Sequence, residues 1–207
     1  MHTRVTISAG MCRVIASAGT VLLLAGCGGG GSGGSSNGSP EGPSAIEQLR
    51  LMESYHTNQG RLNARAAAES TLTMPSSGTA SYEGVAKHFH RPDPAGTNKG
   101  QVTMFSPVVM VADMGSGQLE GAMGDFRRED GRTVDGLVRI ENGTIDGGTI
   151  AADVSGLMTI DGSRRNISGS FEGQFMGPEA AGMSGTYNAS SNDGVLWGRI
   201  VTERVGN

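Results

Sequence analysis

The chain is poor in cysteine and in aromatic residues. Only two of its 207 residues are cysteine, and aromatic residues make up 4% of it. Both cysteines, Cys12 and Cys27, precede the body of the chain, which therefore has no thiol for a disulfide, a cysteine nucleophile or a thiolate metal ligand. We expect the folded part to be held together by its core alone.

Common catalytic motifs are also missing. No Gly-x-Ser-x-Gly elbow follows an apolar strand, and no glycine-rich loop for phosphate opens a helix. The net charge is −4, and removing residues 1–26 makes the remainder more acidic because they contain two arginines and no acid. An acidic chain is a poor partner for nucleic-acid phosphates. We therefore expect neither an enzyme nor a nucleic-acid-binding protein, and no cofactor.

The N-terminal segment is typical of bacterial export signals. Two arginines lie in or before an apolar or small run, which extends from Val14 to Leu24. That run is shorter than the about 20 residues a membrane-spanning helix needs. Leu24-Ala25-Gly26-Cys27 resembles the lipobox of bacterial lipoproteins. Residues 1–26 are thus predicted to be a signal peptide, and Cys27 is predicted to carry the lipid, with acyl chains such as palmitate.

Cys27 is followed by a segment composed almost entirely of glycine, serine, proline and asparagine. Residues 28–44 contain a single charged residue, Glu41, and such a composition cannot bury enough apolar surface to fold. We interpret residues 27–44 as the lipidated cysteine and a flexible tether. Gly28 after the cysteine favours lipid anchoring in the outer membrane, with the protein facing the periplasm or the cell surface.

Helical spacing is confined to residues 45–70. Ile46, Leu49 and Met52 recur at the spacing of one helix face, and Gly60 then interrupts the pattern. The segment is predicted to form one or two short helices between the tether and the main domain. A partly ordered neck is the alternative.

Residues 71–207 consist of short alternating runs separated by turn formers, Asn142-Gly143 among them. This pattern predicts an all-β domain, a single eight-stranded antiparallel β-barrel. The predicted strands are 80–90, 102–113, 117–126, 133–141, 148–160, 167–176, 182–190 and 194–204. The predicted core is padded by methionine and includes Phe171, Phe175, Tyr187 and Trp197.

Two histidines suggest a ligand site. His88 and His90 lie two residues apart on a predicted strand, so they share a face. Two imidazoles on one face could ligate a metal or haem iron, although no third ligand can be assigned. Solvent-facing histidines without a metal are the favoured interpretation. The charged run from Asp125 to Asp130 is interpreted as a solvated loop.

The stretch from Phe171 to Tyr187, FEGQFMGPEAAGMSGTY, resembles the G-x-F-x-G-P-x-A … G-G-T-F signature of the β-barrels in transferrin-binding protein B and its relatives. Factor H-binding protein carries a similar lipoprotein barrel. Gly78 to Gly84, GTASYEG, resembles the opening strand of that family. The chain departs from the signature at Met176, at Ala181-Gly182 and at Ser184. The resemblance covers about residues 77–205.

This resemblance implies a membrane-anchored, non-enzymatic lipoprotein that captures a host protein or an iron source. We expect a monomer that meets an unknown protein or small solute through barrel loops, Arg91–Gly100 and Gly177–Gly182 first. The alternatives are a small-ligand carrier that holds haem or a metal through His88 and His90, and a structural envelope module. Large relatives have two lobes, each with a handle and a barrel, so no partner-binding residue can be carried over.

Overall fold

The structure, a computed structural model, describes residues 45–68, 73–92 and 100–206. One helix precedes eight antiparallel strands, and pairing of the first strand with the last closes them into a barrel. The predicted all-β barrel is confirmed. The elements are α1 (Ala45–Ala68), β1 (Thr79–Arg91), β2 (Val102–Asp113), β3 (Gln118–Arg128), β4 (Thr133–Asp146), β5 (Thr149–Ile160), β6 (Ser163–Met176), β7 (Gly182–Ser191) and β8 (Gly194–Val205). A short 3₁₀ turn, Pro178–Ala180, joins β6 to β7.

Each predicted strand overlaps an observed one, but the turn expected at Asn142-Gly143 is wrong. The strand runs through this dipeptide, and the β4–β5 register shifts between Glu141 and Thr144. Asn142 has a φ of 53°, a left-handed conformation that asparagine tolerates well. The dipeptide forms a bulge, which bends the strand without ending it.

Inward-facing side chains from all eight strands meet in one apolar cluster. Phe171, Phe175 and Tyr187 belong to it, as predicted. Five methionines are at most 1% exposed, which confirms a core padded with methionine: Met104, Met110, Met123, Met158 and Met183.

The placement of Trp197 in the core is wrong. On β8 the inward positions are Leu196, Gly198 and Ile200, and Trp197 is half-buried on the outer wall. A Cβ at Gly198 would lie 2.6 Å from Cε1 of Tyr187. The Lys87 carbonyl oxygen would be still nearer, so the backbone and the Tyr187 ring together leave room for glycine alone. The alternation of the strand then turns its neighbour Trp197 outward.

Helix α1 packs on the outer wall of the barrel as one continuous helix. Its buried Tyr55 and Leu62 join a second apolar cluster, whose barrel members are Val85, Phe105, Met176 and Val201. The rings of Tyr55 and Phe105 meet edge to face at 6.0 Å between centroids. Gly60 does not interrupt the helix, since it is exposed and has open space around its Cβ position.

Two departures from the family signature lie beneath α1. Met176 belongs to the cluster that packs against the helix. A Cβ at Gly182 would overlap Cδ2 of Leu62, so glycine at this position lets the helix approach the wall. The helix therefore gives a physical reason for both residues.

Across the described part of the chain, no helix has the length and apolar character required to cross a membrane.

Candidate functional site

One end of the barrel is closed by the turn between β6 and β7. The Tyr82 hydroxyl donates a hydrogen bond to the carbonyl of Ala180 at 2.8 Å, and Ala180 is fully buried. The Arg204 guanidinium donates to the carbonyl of Glu179 at 3.1 Å. Only Pro178 and Glu179 of this turn are well exposed. The signature residues thus act as a barrel cap, and a binding role for Gly177–Gly182 stays a prediction.

The opposite end carries a network of ion pairs. Arg128 contacts Asp130 at 3.1 Å and Asp161 at 2.6 Å, and Arg132 pairs with the same two carboxylates. Hydrogen bonds from Arg132 hold the pKa of Asp130 below its usual value. The interpretation of the run from Asp125 to Asp130 as a solvated loop is wrong for its first part, because β3 continues to Arg128 and the Arg128 side chain is only 11% exposed. Arg91, where β1 ends, lies at this end, and residues 93–99 of the predicted loop Arg91–Gly100 fall outside the described part.

His88 points into the barrel, and its assignment as a solvent-facing residue is wrong. Its Nδ1 is hydrogen-bonded to the Tyr187 hydroxyl at 2.5 Å and its Nε2 to the Ser106 hydroxyl at 2.8 Å. Burial lowers the pKa of His88 to about 3. A neutral imidazole has one donor and one acceptor nitrogen, and both are engaged here. Metal ligation through His88 would therefore require one of these bonds to break.

His90 also faces inward, two residues closer to the charged end, and is 1% exposed. Neither ring nitrogen has a hydrogen-bond partner among the described residues. Burial lowers the pKa of His90 to about 4, and the Arg165 cation adds to that effect. No cluster of three or more His, Cys, Asp or Glu side chains suited to a metal occurs in the described ranges. A metal at His88 and His90 stays a prediction.

The outer faces of β1 and its neighbour β8 carry aromatic rings and cations. Phe89 and Trp197 are cross-strand partners whose rings stack, with centroids 5.6 Å apart and planes inclined by 22°. The Arg91 guanidinium lies 5.5 Å from the centre of the Trp197 ring. The Lys87 ammonium lies 5.2 Å from the centre of Phe89. Sequence reasoning missed this surface because it placed Trp197 in the core.

A groove of about 670 Å³ lies beside Trp197 on the outer wall of β6, β7 and β8. We call it the Trp197 groove and define it by the side chains of Arg91, Ser168, Ser170, Asn188, Ser190, Val195 and Trp197. The register places Ser170, Asn188 and Trp197 side by side across three strands. The groove thus combines hydroxyl and amide groups with one indole and one guanidinium.

A second groove, of about 680 Å³, lies on the wall of β2, β3 and β4. Val109 and Val111 line it and are 48% and 42% exposed. Glu120, Glu141 and Arg139 also line it. It carries charges of both signs, whereas Arg91 is the one charged side chain among the described residues that line the Trp197 groove.

A closed antiparallel barrel with a packed interior is a scaffold whose function is carried by walls and loops. Residues 74–201, more than half of the chain, match the family described as C-lobe and N-lobe β-barrels of transferrin-binding protein B. The chain belongs to this family. The predicted family resemblance is thereby confirmed.

Solved structures with a similar fold include intact Ap-TbpB with its N and C lobes. It is 18% identical to this chain with a TM-score of 0.47, and the match covers 63% of this chain and 27% of that one. Another is a Tyr-167-Ala and Trp-176-Ala double mutant of transferrin-binding protein B from Haemophilus parasuis Hp5. It is 19% identical with a TM-score of 0.48, and the match covers 65% of this chain and 27% of that one. The chain spans about a quarter of the length of these proteins. No curated protein matches it.

Proposed function

We propose that the protein is a lipid-anchored, non-enzymatic binding module of the bacterial outer membrane. Membership of a family of binding-protein barrels supports the binding role. The export signal over residues 1–26 and the lipobox ending at Cys27 support the anchor. The segment predicted as a helical neck packs on the barrel wall as α1, so the tether over residues 27–44 alone would hold the barrel away from the lipid.

The observation that carries the binding role is the packed interior. Side chains from all eight strands form one buried cluster inside the barrel. The Tyr82–Ala180 hydrogen bond closes one end, and the ion pairs of Arg128 lie at the other. A partner therefore has the outer walls and the loops to bind to.

A host protein or another iron source is the partner class that the family supports. The matched structures are proteins named for transferrin binding, and each is several times longer than the barrel found here. The described part of this chain forms one barrel with a single helix on its wall. We therefore propose a single-barrel capture module, with the partner bound at the walls or at the loops Arg91–Gly100 and Gly177–Gly182.

Affinity capture tests the binding role. The purified protein is immobilised, and host serum, bacterial envelope extract and haem are passed over it in separate runs. We expect a protein from serum to be retained at stoichiometric level. Retention of nothing in any run would favour the structural module. Haem uptake that disappears in a His90→Gln variant would favour the small-ligand carrier.

Fractionation and mass spectrometry test the anchor. We expect the mature N-terminus to be a lipidated Cys27, and a Cys27→Ser protein to leave the membrane fraction. A Ser36→Ala protein, altered within the tether, is the matched control and should stay with the membrane. Membrane association of Cys27→Ser equal to that of the control would contradict the anchor.

A further inference from the structure

The outer wall of β1 and β8 carries three cations: Lys87, Arg91 and Arg199. Lys87 and Arg199 are direct cross-strand partners, an arrangement in which like charges repel. The ion pairs of the described residues involve other arginines, and none includes these three. The chain as a whole is acidic, so its composition does not explain this concentration of positive charge. Unpaired cations on one wall favour an anionic ligand.

Two acids also lie on the outer wall of β1 and β8, because Glu83 and Glu203 are cross-strand partners. Each is four residues along its strand from the nearest of the three cations, and Glu203 pairs with Arg61. A further acid lies on a nearby strand. By register, Glu172 on β6 is separated from Arg199 on β8 by Thr186 on β7. Glu172 is exposed and forms no ion pair within the described ranges. Among the described residues, those that line the Trp197 groove include no acid.

Four small polar residues line the Trp197 groove, together with Gly169, Ala189, Val195 and Leu196. Ser168, Ser170, Asn188 and Ser190 are all exposed there. Each hydroxyl can both donate and accept a hydrogen bond, and the amide offers donors and an acceptor. These groups are complementary to the ring hydroxyls of a sugar. The indole of Trp197 provides an apolar surface for the C–H face of a pyranose.

We propose that the Trp197 groove binds an anionic oligosaccharide. A sugar ring packs against Trp197, its hydroxyls bond to Asn188 and the serines, and its carboxylate or sulfate pairs with Arg91 or Arg199. The volume of about 670 Å³ falls in the usual range for ligand sites. This activity requires neither the lipid nor a protein partner.

Other anionic partners fit the surface less well. Protein interfaces are anchored by large apolar or aromatic side chains in well-packed pockets, whereas the exposed side chains beside the single indole here are serines and an asparagine. Lipid surfaces are bound by basic residues together with protruding apolar ones. Trp197 is stacked on Phe89 and half-buried, so it does not protrude. The combination of hydroxyls, amide and indole favours the sugar.

Fluorescence of the full chain is a direct probe, because Trp197 is the single tryptophan. The purified protein is titrated with hexameric oligogalacturonate, which bears carboxylates, and with dextran sulfate, which bears sulfates. Neutral maltohexaose and poly-glutamate separate the contributions of sugar and charge. We expect saturable changes with one or both anionic glycans and at least tenfold weaker binding of the other two probes. Poly-glutamate binding as tightly as the glycans would overturn the proposal, as would no response to either glycan.

Calorimetry on variants then locates the site. We expect Trp197→Ala and Asn188→Ala to weaken glycan binding at least tenfold, and Arg91→Gln to weaken it and to flatten its salt dependence. Asn188 and Arg91 lie at the surface, so their variants keep the test valid if Trp197→Ala does not fold. Val109→Ala, in the other groove, should bind like the wild type. Equal affinity for Asn188→Ala, Arg91→Gln and the wild type would place the site elsewhere.

Discussion

Strands β1 and β8 present an outer wall whose two halves differ. The half that contains Val85 and Val201 lies under α1, where both residues are buried. The other half contains Phe89 and Trp197, which are only half-buried and are not among the described residues that pack against α1. We call these the covered half and the open half.

The comparison separates apolar wall residues that are present because they stabilise the fold from those that need another explanation. On the covered half, apolar side chains are accounted for by Tyr55 and Leu62 of the helix. On the open half, two large rings stack on each other and are flanked by Lys87 and Arg91. Burial under the described helix does not account for these rings, so we interpret the open half as a surface for binding.

The largest loss of stability is expected for a residue inside the barrel. That loss is the reference for the two halves of the outer wall. Phe171 is 1% exposed inside the barrel, and replacing a core Phe by Ala typically costs about 3–5 kcal/mol. We expect Phe171→Ala to lose that much free energy of unfolding, measured by urea denaturation. Its neighbour Glu172 is exposed on the outer wall, so Glu172→Ala should change stability by less than about 0.5 kcal/mol. Equal losses would reverse the register of β6.

The next effect concerns the covered half. Leu62 is fully buried between helix and wall, and truncating a buried Leu to Ala costs about 2–5 kcal/mol. We expect Leu62→Ala to fall in the lower part of that range, because the helix can adjust on the wall, and to raise amide exchange in α1. Leu49 lies on the same helix and is 63% exposed, which makes Leu49→Ala the matched control. An unchanged Leu62→Ala protein would show that α1 contributes nothing to stability.

The third effect is a dependence of stability on pH. It arises from His90, on the inner face of β1, the strand that carries Phe89 on the open half. The folded-state pKa of His90 is lowered from 6.5 to about 4. An unfolded chain binds the proton more readily, so His90 contributes stability that is present above pH 6.5 and is lost as pH falls toward 4. The loss should be on the order of 2 kcal/mol by pH 5, with His88 adding to it.

Urea denaturation between pH 7.5 and 5 measures this effect. We expect His90→Gln to make the profile flatter. His56, exposed on α1, gives the matched control His56→Gln, whose profile should follow the wild type. A His90→Gln profile as steep as that of the wild type would show that His90 is not the group responsible.

Alternation in the sequence predicted the barrel and the inner face of β6, because Phe171 and Phe175 alternate there with Glu172 and Gln174. It failed on β1, where both faces carry apolar residues: Tyr82 faces the interior and Val85 the helix. With two apolar faces, period alone does not say on which side His88 lies. The same ambiguity misplaced Trp197.

The features that the sequence did not predict depend on contacts between residues far apart in the chain. Arg128 and Asp161 are 33 residues apart, and no local pattern in the sequence pairs them. Gly182 is glycine because Leu62 packs against it, a contact that depends on where α1 docks. The cap at Ala180 depends on Tyr82, which is 98 residues away. The sequence predicted these elements, and only the fold brings their side chains together.

The most direct test of the difference between the halves is to measure both unfolding free energy and glycan binding for Trp197→Ala and Val201→Ala. The smallest stability effect is expected in this pair. We expect Val201→Ala to lose about 2 kcal/mol of unfolding free energy and to bind oligogalacturonate normally. Trp197→Ala should lose about 1 kcal/mol for the stacked aromatic pair and a further part for the area that the ring half-buries, less than a core tryptophan would lose, and it should lose binding. A loss of 3–5 kcal/mol for Trp197→Ala, typical of a core tryptophan, with glycan binding unchanged would contradict the account.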